Sequence, residues 1–175
     1  MERILAALDG SEHSEKALDL ASDIACKYGA ELILLHVMSD RPLNDAERQM
    51  AEVEYLDDLL SSLNAPGVEG GGDPRLRARH VLQHYADVAH RFRETIGNRL
   101  MAKASARAAE RGVGSIRTLL EDGDPANTIL RMAKGLHVDM IFLGSRGLGD
   151  AKGLLMGSVS HKVAHLAECT CVSVK

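Results

Sequence analysis

The glycine-rich motif in the C-terminal third of the chain is the segment best suited to bind an anion. It runs from Gly144 to Gly147 and resumes nine residues later at Gly157 and Ser158, and it directly follows the apolar run 138–143. Glycine lets backbone N–H groups approach an anion without an intervening Cβ, and a helix N-terminus offers unpaired N–H donors at the positive end of its dipole. A strand, a glycine loop and a helix in this order predict a phosphate-binding loop, to which Ser158 adds a hydroxyl.

Asp9 is the second candidate, because it ends the first apolar run of the chain. A carboxylate there could accept hydrogen bonds from a ribose or an adenine edge, or hold a divalent metal beside the phosphates. The alternative is that Asp9 only caps the helix that follows.

Other motifs for nucleotide or metal chemistry are incomplete. The chain has no G-x-x-x-x-G-K-[ST] motif, and the glycines at 147, 149 and 153 do not have the dinucleotide-binding spacing. Efficient hydrolysis needs a placed base and a metal-held water, for which the sequence offers no evident residues. The pairs His161/His165 and His80/His84 have helical i, i+4 spacing but no third ligand, so surface histidines are the favoured interpretation.

The composition is that of a globular protein without a nucleic-acid or membrane partner. The 175 residues are 45% hydrophobic and 26% charged, with a formal charge of −4, 3% aromatic residues and no Trp. This excludes a basic surface and leaves few stacking platforms for nucleic acid, and no apolar run reaches the roughly 20 residues of a membrane helix. Three cysteines form no disulfide framework, and without an apolar leader at Met1 the expected location is the cytoplasm. Cys169 and Cys171 share one face of a strand and are best explained as small buried hydrophobes.

Strands and helices alternate along the chain, which predicts an α/β fold with a parallel sheet. Apolar runs on both faces are typical of strands that are covered by helices on either side. The expected strands are 3–8, 32–37, 115–121, 138–143 and 170–175, with helices after Asp9, after Asp124 and from Gly157.

The segment 39–99 interrupts this alternation and predicts an inserted helical hairpin. Its arms are expected at 46–63 and 81–100, the first rich in acidic residues and the second rich in arginine. The opposite charges favour contact between the arms, although two solvated faces explain them equally well. An arm that binds an unknown protein partner is the other hypothesis.

Four stretches together resemble the universal stress protein family. They are the segments 4–11, 34–37 and 123–125 and the glycine motif, which fulfils the pattern G-x2-G-x9-G-(S/T). The resemblance covers 1–38 and 113–175 within a single domain over 1–175, and the insertion is the departure from the family pattern.

The resemblance implies an open, Rossmann-like sheet of five parallel strands in the order 3-2-1-4-5, with helices on both faces. It also implies a homodimer through the C-terminal strand, Thr170 to Val174, and ATP bound with Mg²⁺ or Mn²⁺. In that order, the chain reverses between strands 1 and 4, where ligands of open α/β sheets bind.

By the same resemblance, the motif glycines and the first helical residues cradle the phosphates, while Ser145, Arg146, Leu148 and Gly149 form a lid. The backbone of Val37 would read the adenine edge and Ala7 would line the pocket. The expected nucleotide-binding residues are Ala7, Asp9, Val37, Leu143, Gly144, Ser145, Arg146, Gly147, Leu148, Gly149, Gly157, Ser158 and Val159.

These features favour a nucleotide-binding stress or signalling protein that changes its partner interactions when ATP is bound. A slow ATPase or phosphotransferase with a metal held by Asp9 is the alternative. The third hypothesis is an interaction module without nucleotide, whose glycine loop is only structural.

Overall fold

A computed structural model describes residues 1–39, 74–148 and 156–175, with the side chains of 74–85 left out. The chain divides into two compact units, residues 1–40 with 97–175, and residues 41–96. The elements are β1 (Arg3–Ala7), α1 (Glu12–Tyr28), β2 (Glu31–Met38), α2 (Pro74–Glu110), β3 (Ile116–Asp122), α3 (Pro125–Gly135), β4 (Met140–Gly144), α4 (Ser158–Leu166) and β5 (Thr170–Val174).

The five strands form one parallel sheet in the order β3-β2-β1-β4-β5, which confirms the predicted topology. Its register places Ala7 beside Leu35 on one side and beside Leu143 on the other. Strands β3 and β5 are the two edges, and β1 and β4 are neighbours although they are far apart in sequence.

Local sequence signals set the helix ends as expected. The Ser11 hydroxyl caps α1 by accepting from Ser14 N, and α1 ends at Gly29, whose φ of 62° is left-handed. Asp124 caps α3 by accepting from Asn127 N, and Pro125 occupies the first turn, where no N–H is needed.

The core consists of one apolar cluster on each face of the sheet. On the α1 face, α1 and the last turns of α2 pack against Ile4, Leu34 and Phe142. On the α3 face, α3 and α4 pack against Leu5, Leu35 and Ile141. Strands covered on both sides in this way account for their continuous apolar runs.

Helix α2 is longer than the sequence indicates. The arm expected over 81–100 lies within one continuous helix that runs on to Glu110. The helix extends because Met101, Ala104 and Ala108 continue the stripe and are buried in the α1-face cluster. The arm expected over 46–63 lies outside the described residues, so the insertion over 39–99 remains a prediction.

A row of ion pairs joins α1 to the last turns of α2. Arg107 makes a forked contact with Asp19, with Nε 2.6 Å from Oδ1 and Nη2 2.7 Å from Oδ2. Lys103 pairs with Glu15 at 2.9 Å, and Arg111 pairs with Asp23 at 2.7 Å. The hydrogen bond from Arg107 holds the pKa of Asp19 below its usual value, and Lys103 does the same for the pKa of Glu15.

Among the described helices, none combines the length and the apolar character that a membrane crossing requires.

Candidate functional site

The candidate site lies at the carboxyl ends of β1 and β4, where the strand order reverses. Asp9 follows β1, and Gly144 ends the adjacent strand β4. Helices α1 and α4 both begin at this edge of the sheet, at Glu12 and Ser158. The fold therefore brings the predicted carboxylate, glycine loop and helix N-terminus to one edge, which is where open α/β sheets bind ligands.

Asp9 is half-buried and holds the two sides of this edge together. Its Oδ1 accepts from Ser11 N at 3.0 Å and from Ser11 Oγ at 2.6 Å. Its Oδ2 accepts from Leu148 N, in the glycine loop, at 3.3 Å. Asp9 does not cap α1, because Ser11 is the N-cap residue.

Two motif glycines are required by contacts within the protein. A Cβ on Gly144 would stand 2.8 Å from Ser14 N and 2.9 Å from the Cβ of His13, so β4 can approach the start of α1 only without a side chain here. A Cβ on Gly147 would stand 2.5 Å from Asp9 Oδ2. The spacing of these two glycines thus has a packing function in addition to the predicted one.

Ser145 differs from its expected place in a lid. Its side chain is 2% exposed, and its Oγ lies 3.1 Å from His13 Nδ1. Its N–H donates to the carbonyl of Val174 at 2.6 Å, which fixes it to the end of β5. Ser145 therefore fixes the start of the loop to α1 and β5.

The amide of Gly157 is also used internally, against the expectation that it faces the phosphates. Gly157 N donates to the carbonyl of Ser145 at 2.8 Å, which joins the two ends of the loop. The next amides, those of Ser158 and Val159, begin α4, and within the described residues no acceptor faces them. Among the described residues, the first turn of α4 therefore offers backbone donors to an anion.

The remaining predicted residues line the edge in different ways. Ala7 and Leu143 are nearly buried and pack on the α3 face, where half-buried Val37 joins them. The Arg146 side chain is exposed, while its carbonyl accepts from Ser11 Oγ at 3.3 Å. Leu148 is 70% exposed. Gly149 lies outside the described residues.

Sequence reasoning missed three residues of this network, His13, Ser11 and Ser160. Ser160 is buried, and its hydroxyl donates to the carbonyls of Ser145 at 2.9 Å and Gly157 at 3.0 Å. Its position three residues after the N-cap Gly157 was the available signal for Ser160. No sequence pattern links His13 to Ser145, since they are 132 positions apart.

The other motifs remain separate from the site. The rings of His161 and His165 stack in parallel with centroids 6.4 Å apart. Cys169 and Cys171 are partly buried against the α3-face cluster, and burial raises the pKa of both thiols. The side chains of His80 and His84 lie outside the described residues. Within the described part of the chain, no group of three His, Cys, Asp or Glu side chains has the arrangement of a metal site.

Comparisons with known proteins identify the family. A sequence model of the universal stress protein family matches residues 1–175. The universal stress protein YxiE of Bacillus subtilis is 31% identical over 173 residues, covering 99% of this chain and 98% of that protein.

Solved structures share the fold. A universal stress protein in complex with cAMP superposes with a TM-score of 0.62 at 20% identity, covering 99% of this chain and 97% of that one. A family protein from Arabidopsis thaliana with AMP bound gives 0.57 at 18% identity, covering 100% and 92%. The match over the full length, together with the strand order, shows that this chain belongs to the universal stress protein family.

Proposed function

We propose that this protein binds an adenine nucleotide at the edge formed by β1 and β4, with the phosphates at the start of α4. The observation that carries the proposal is the meeting of Asp9, the glycine loop and the start of α4 at the point where the strand order reverses. The amides of Ser158 and Val159 there have no acceptor among the described residues. The cAMP and AMP complexes of the two structural relatives support the same ligand class.

The proposed contacts follow from the chemistry of each group. The amides of Ser158 and Val159 and the Ser158 hydroxyl would donate to phosphate oxygens, and exposed Arg146 would pair with their charge. Asp9 would accept from ribose hydroxyls. Ala7, Val37 and Leu143 would provide an apolar wall and a strand backbone for the base.

The identity of the nucleotide, the cation and the loop contacts are further parts of this proposal. We propose that the bound nucleotide is ATP with Mg²⁺ or Mn²⁺. The phosphates would hold the cation, and the carboxylate of Asp9 is a candidate to coordinate it as well. Gly144, Ser145, Gly147, Leu148 and Gly149 would shape the loop around the phosphates. Gly157, whose own amide is already bonded, would keep the entrance to α4 open.

We further propose a cytoplasmic homodimer through β5, in which nucleotide occupancy changes the affinity for a protein partner. The segment 39–99 is the proposed partner-binding element. Occupancy can signal only if the nucleotide binds two states of the protein with different affinity.

The proposal is tested by nucleotide binding to the parent and to Gly157→Val. Gly157 has φ −74° and ψ 161°, which a β-branched residue adopts without backbone strain, but it is buried, so circular dichroism and urea unfolding must first show that the variant folds. Calorimetric titration with ATP, AMP and cAMP, with and without Mg²⁺, should give measurable binding to the parent and a loss of at least about tenfold in the variant, since a side chain there blocks the approach to the helix amides.

Equal binding by the folded Gly157→Val protein would contradict the site. The adenine absorbance of freshly purified, denatured protein provides an independent check for retained nucleotide. Phosphate release above the protein-free background, lost in Asp9→Ala, would favour the alternative of a slow ATPase or phosphotransferase. Folded protein that binds none of these nucleotides would favour the interaction module.

A further inference from the structure

The carboxylate of Asp9 occupies a backbone donor of the glycine loop. Ser11 directs two donors, its N–H and its hydroxyl, at Oδ1, so Oδ2 is left to face the loop. There it accepts from Leu148 N at 3.3 Å. The loop thus already binds one anion, which is supplied by the protein itself.

The loop sequence makes room for this carboxylate. The missing side chain of Gly147 is what allows Oδ2 to approach, because a Cβ at that position would lie 2.5 Å from it. Asp9 has only two rotatable bonds and is held by Ser11, so it cannot yield easily to a methyl group. Gly147 and Asp9 therefore fit one another.

An external anion at the same amide would have to compete with Asp9. Two anionic oxygens cannot share one N–H donor at close range without strong repulsion. Among the residues that the structure describes, none places such an internal anion at the amides of Ser158 and Val159. The crevice between the glycine loop and the start of α4 therefore has two different sides, because Leu148 N is bonded to a carboxylate while the described residues offer none to the amides of α4.

We propose that Asp9 is an internal latch that holds residues 147 and 148 against the end of β1 in the ligand-free protein, and that a phosphate group reaching Leu148 N must displace it. The second half of this inference rests on the proposed nucleotide site. The first half concerns only contacts within the chain.

The latch is tested without ligand by amide hydrogen exchange in the full-length protein. In Asp9→Asn the single oxygen stays with the two donors of Ser11, and the side-chain NH₂ turns toward Leu148 N, which cannot accept. Gly147→Ala instead keeps the charge of Asp9 and forces the loop and the carboxylate apart. Exchange at Leu148 should become at least about tenfold faster in both variants, as expected for the loss of one charge-assisted hydrogen bond.

Matched controls separate the latch from general effects of the substitutions. Asp124→Asn keeps the cap of α3 and removes a charge that lies 3.5 Å from Lys162 of α4. Gly135→Ala adds a methyl group where nothing lies within 4 Å. Neither should change exchange at Leu148, and unchanged exchange in both Asp9→Asn and Gly147→Ala would overturn the latch.

Displacement is tested by calorimetry with pyrophosphate, which has no ribose or base for Asp9 to contact. Asp9→Asn should bind pyrophosphate at least about tenfold tighter than the parent, and Asp124→Asn less than about threefold tighter. Equal or weaker binding by Asp9→Asn would overturn displacement. If no variant bound pyrophosphate or AMP, the nucleotide site and displacement would both be wrong, while the exchange rates would still decide whether the latch exists.

Discussion

At the scale of single residues, the glycines of the motif have two separate explanations. Gly144 and Gly147 are required where a strand end and a loop come close to α1 and to Asp9. Neither contact involves a ligand, so a substitution at these positions tests folding and binding at once. Stability must therefore be measured before any loss of binding is attributed to a lost phosphate contact.

Gly144→Ala should destabilise the protein by about 1–3 kcal/mol, the usual cost of forcing a methyl group into a packed contact. The new Cβ would meet the backbone of His13 and Ser14, which cannot move without shifting the start of α1. Urea unfolding of the parent and the variant measures the difference. Gly114→Ala, where a Cβ meets nothing within 4 Å, is the control and should leave the free energy of unfolding within about 0.5 kcal/mol of the parent.

At the scale of elements, the ion pairs between α1 and α2 fix how these two helices lie on the sheet. Glu15, Asp19 and Asp23 recur at intervals of four residues on α1, and Lys103, Arg107 and Arg111 do so on α2. Asp19 is central because it pairs with both arginines. The two helices run in the same direction, as right-handed crossovers on one face of a parallel sheet require.

Arg107→Met should lower the free energy of unfolding by about 1 kcal/mol at pH 7, the upper range for a partly exposed pair, because its forked contact with Asp19 is lost. Since Arg107 lowers the pKa of Asp19, this contribution is present above the ordinary pKa of an aspartate and is lost as the pH falls through the lowered value in the folded protein.

Unfolding of the parent and Arg107→Met should therefore differ at pH 7 and converge near pH 2–3, and 1 M salt should also reduce the difference. The matched control is Lys134→Met, which removes a pair with Glu168 in which both side chains are more than 70% exposed. A constant difference between parent and Arg107→Met from pH 7 to pH 2 would show that packing of the arginine stem, and not its charge, stabilises the helix pair.

At the scale of the whole molecule, β5 is the sheet edge proposed to pair with a second copy. The amide of Thr170 donates to Asp139, and the carbonyl of Val174 accepts from Ser145. Alternate residues of a strand direct their backbone groups to the same side, so residues 170, 172 and 174 face β4. The backbone groups of Cys171 and Ser173 consequently face the open edge.

Ser173→Pro should prevent β5 from pairing with a second copy while leaving its bonds to β4 intact, because proline removes only a donor that faces outward. The parent should sediment as a dimer and the variant as a folded monomer. Val172→Pro is the matched comparison, and it should lower stability because its missing donor faces β4. A Ser173→Pro protein with the mass of the parent dimer would contradict pairing through this edge.

The sequence predicts the features that depend on neighbouring residues better than those that depend on contacts between distant parts of the chain. Local signals predicted the cap at Asp124 and the end of α1 at Gly29. The apolar runs predicted the five strands, and the resemblance to the universal stress protein family predicted their order. The extent of α2 was not predicted, because Ala104 and Ala108 are small residues that mark a buried helix face only weakly in sequence.

The sequence predicted where the site lies but not the hydrogen bonds within it. The edge where Asp9 and the glycine motif meet was predicted, since strand order alone places them there. The bonds of Ser145 to His13 and of Leu148 to Asp9 span more than 130 positions, and no periodicity indicates them. The hydrogen bond from Gly157 N to the carbonyl of Ser145 could not be predicted either, because both groups belong to the backbone and the residue types do not indicate which backbone groups pair.

Ser11 connects the candidate site to the exposed first turn of α1, because its hydroxyl contacts both. Its hydroxyl donates to Asp9 while it accepts from Ser14 N at the start of α1. If Asp9 turned away, that proton would keep only the longer contact to the Arg146 carbonyl, at 3.3 Å, and the hydroxyl could rotate off the first turn of the helix. A fluorescent label at exposed position 12 would then report events inside the crevice by a change in its own motion.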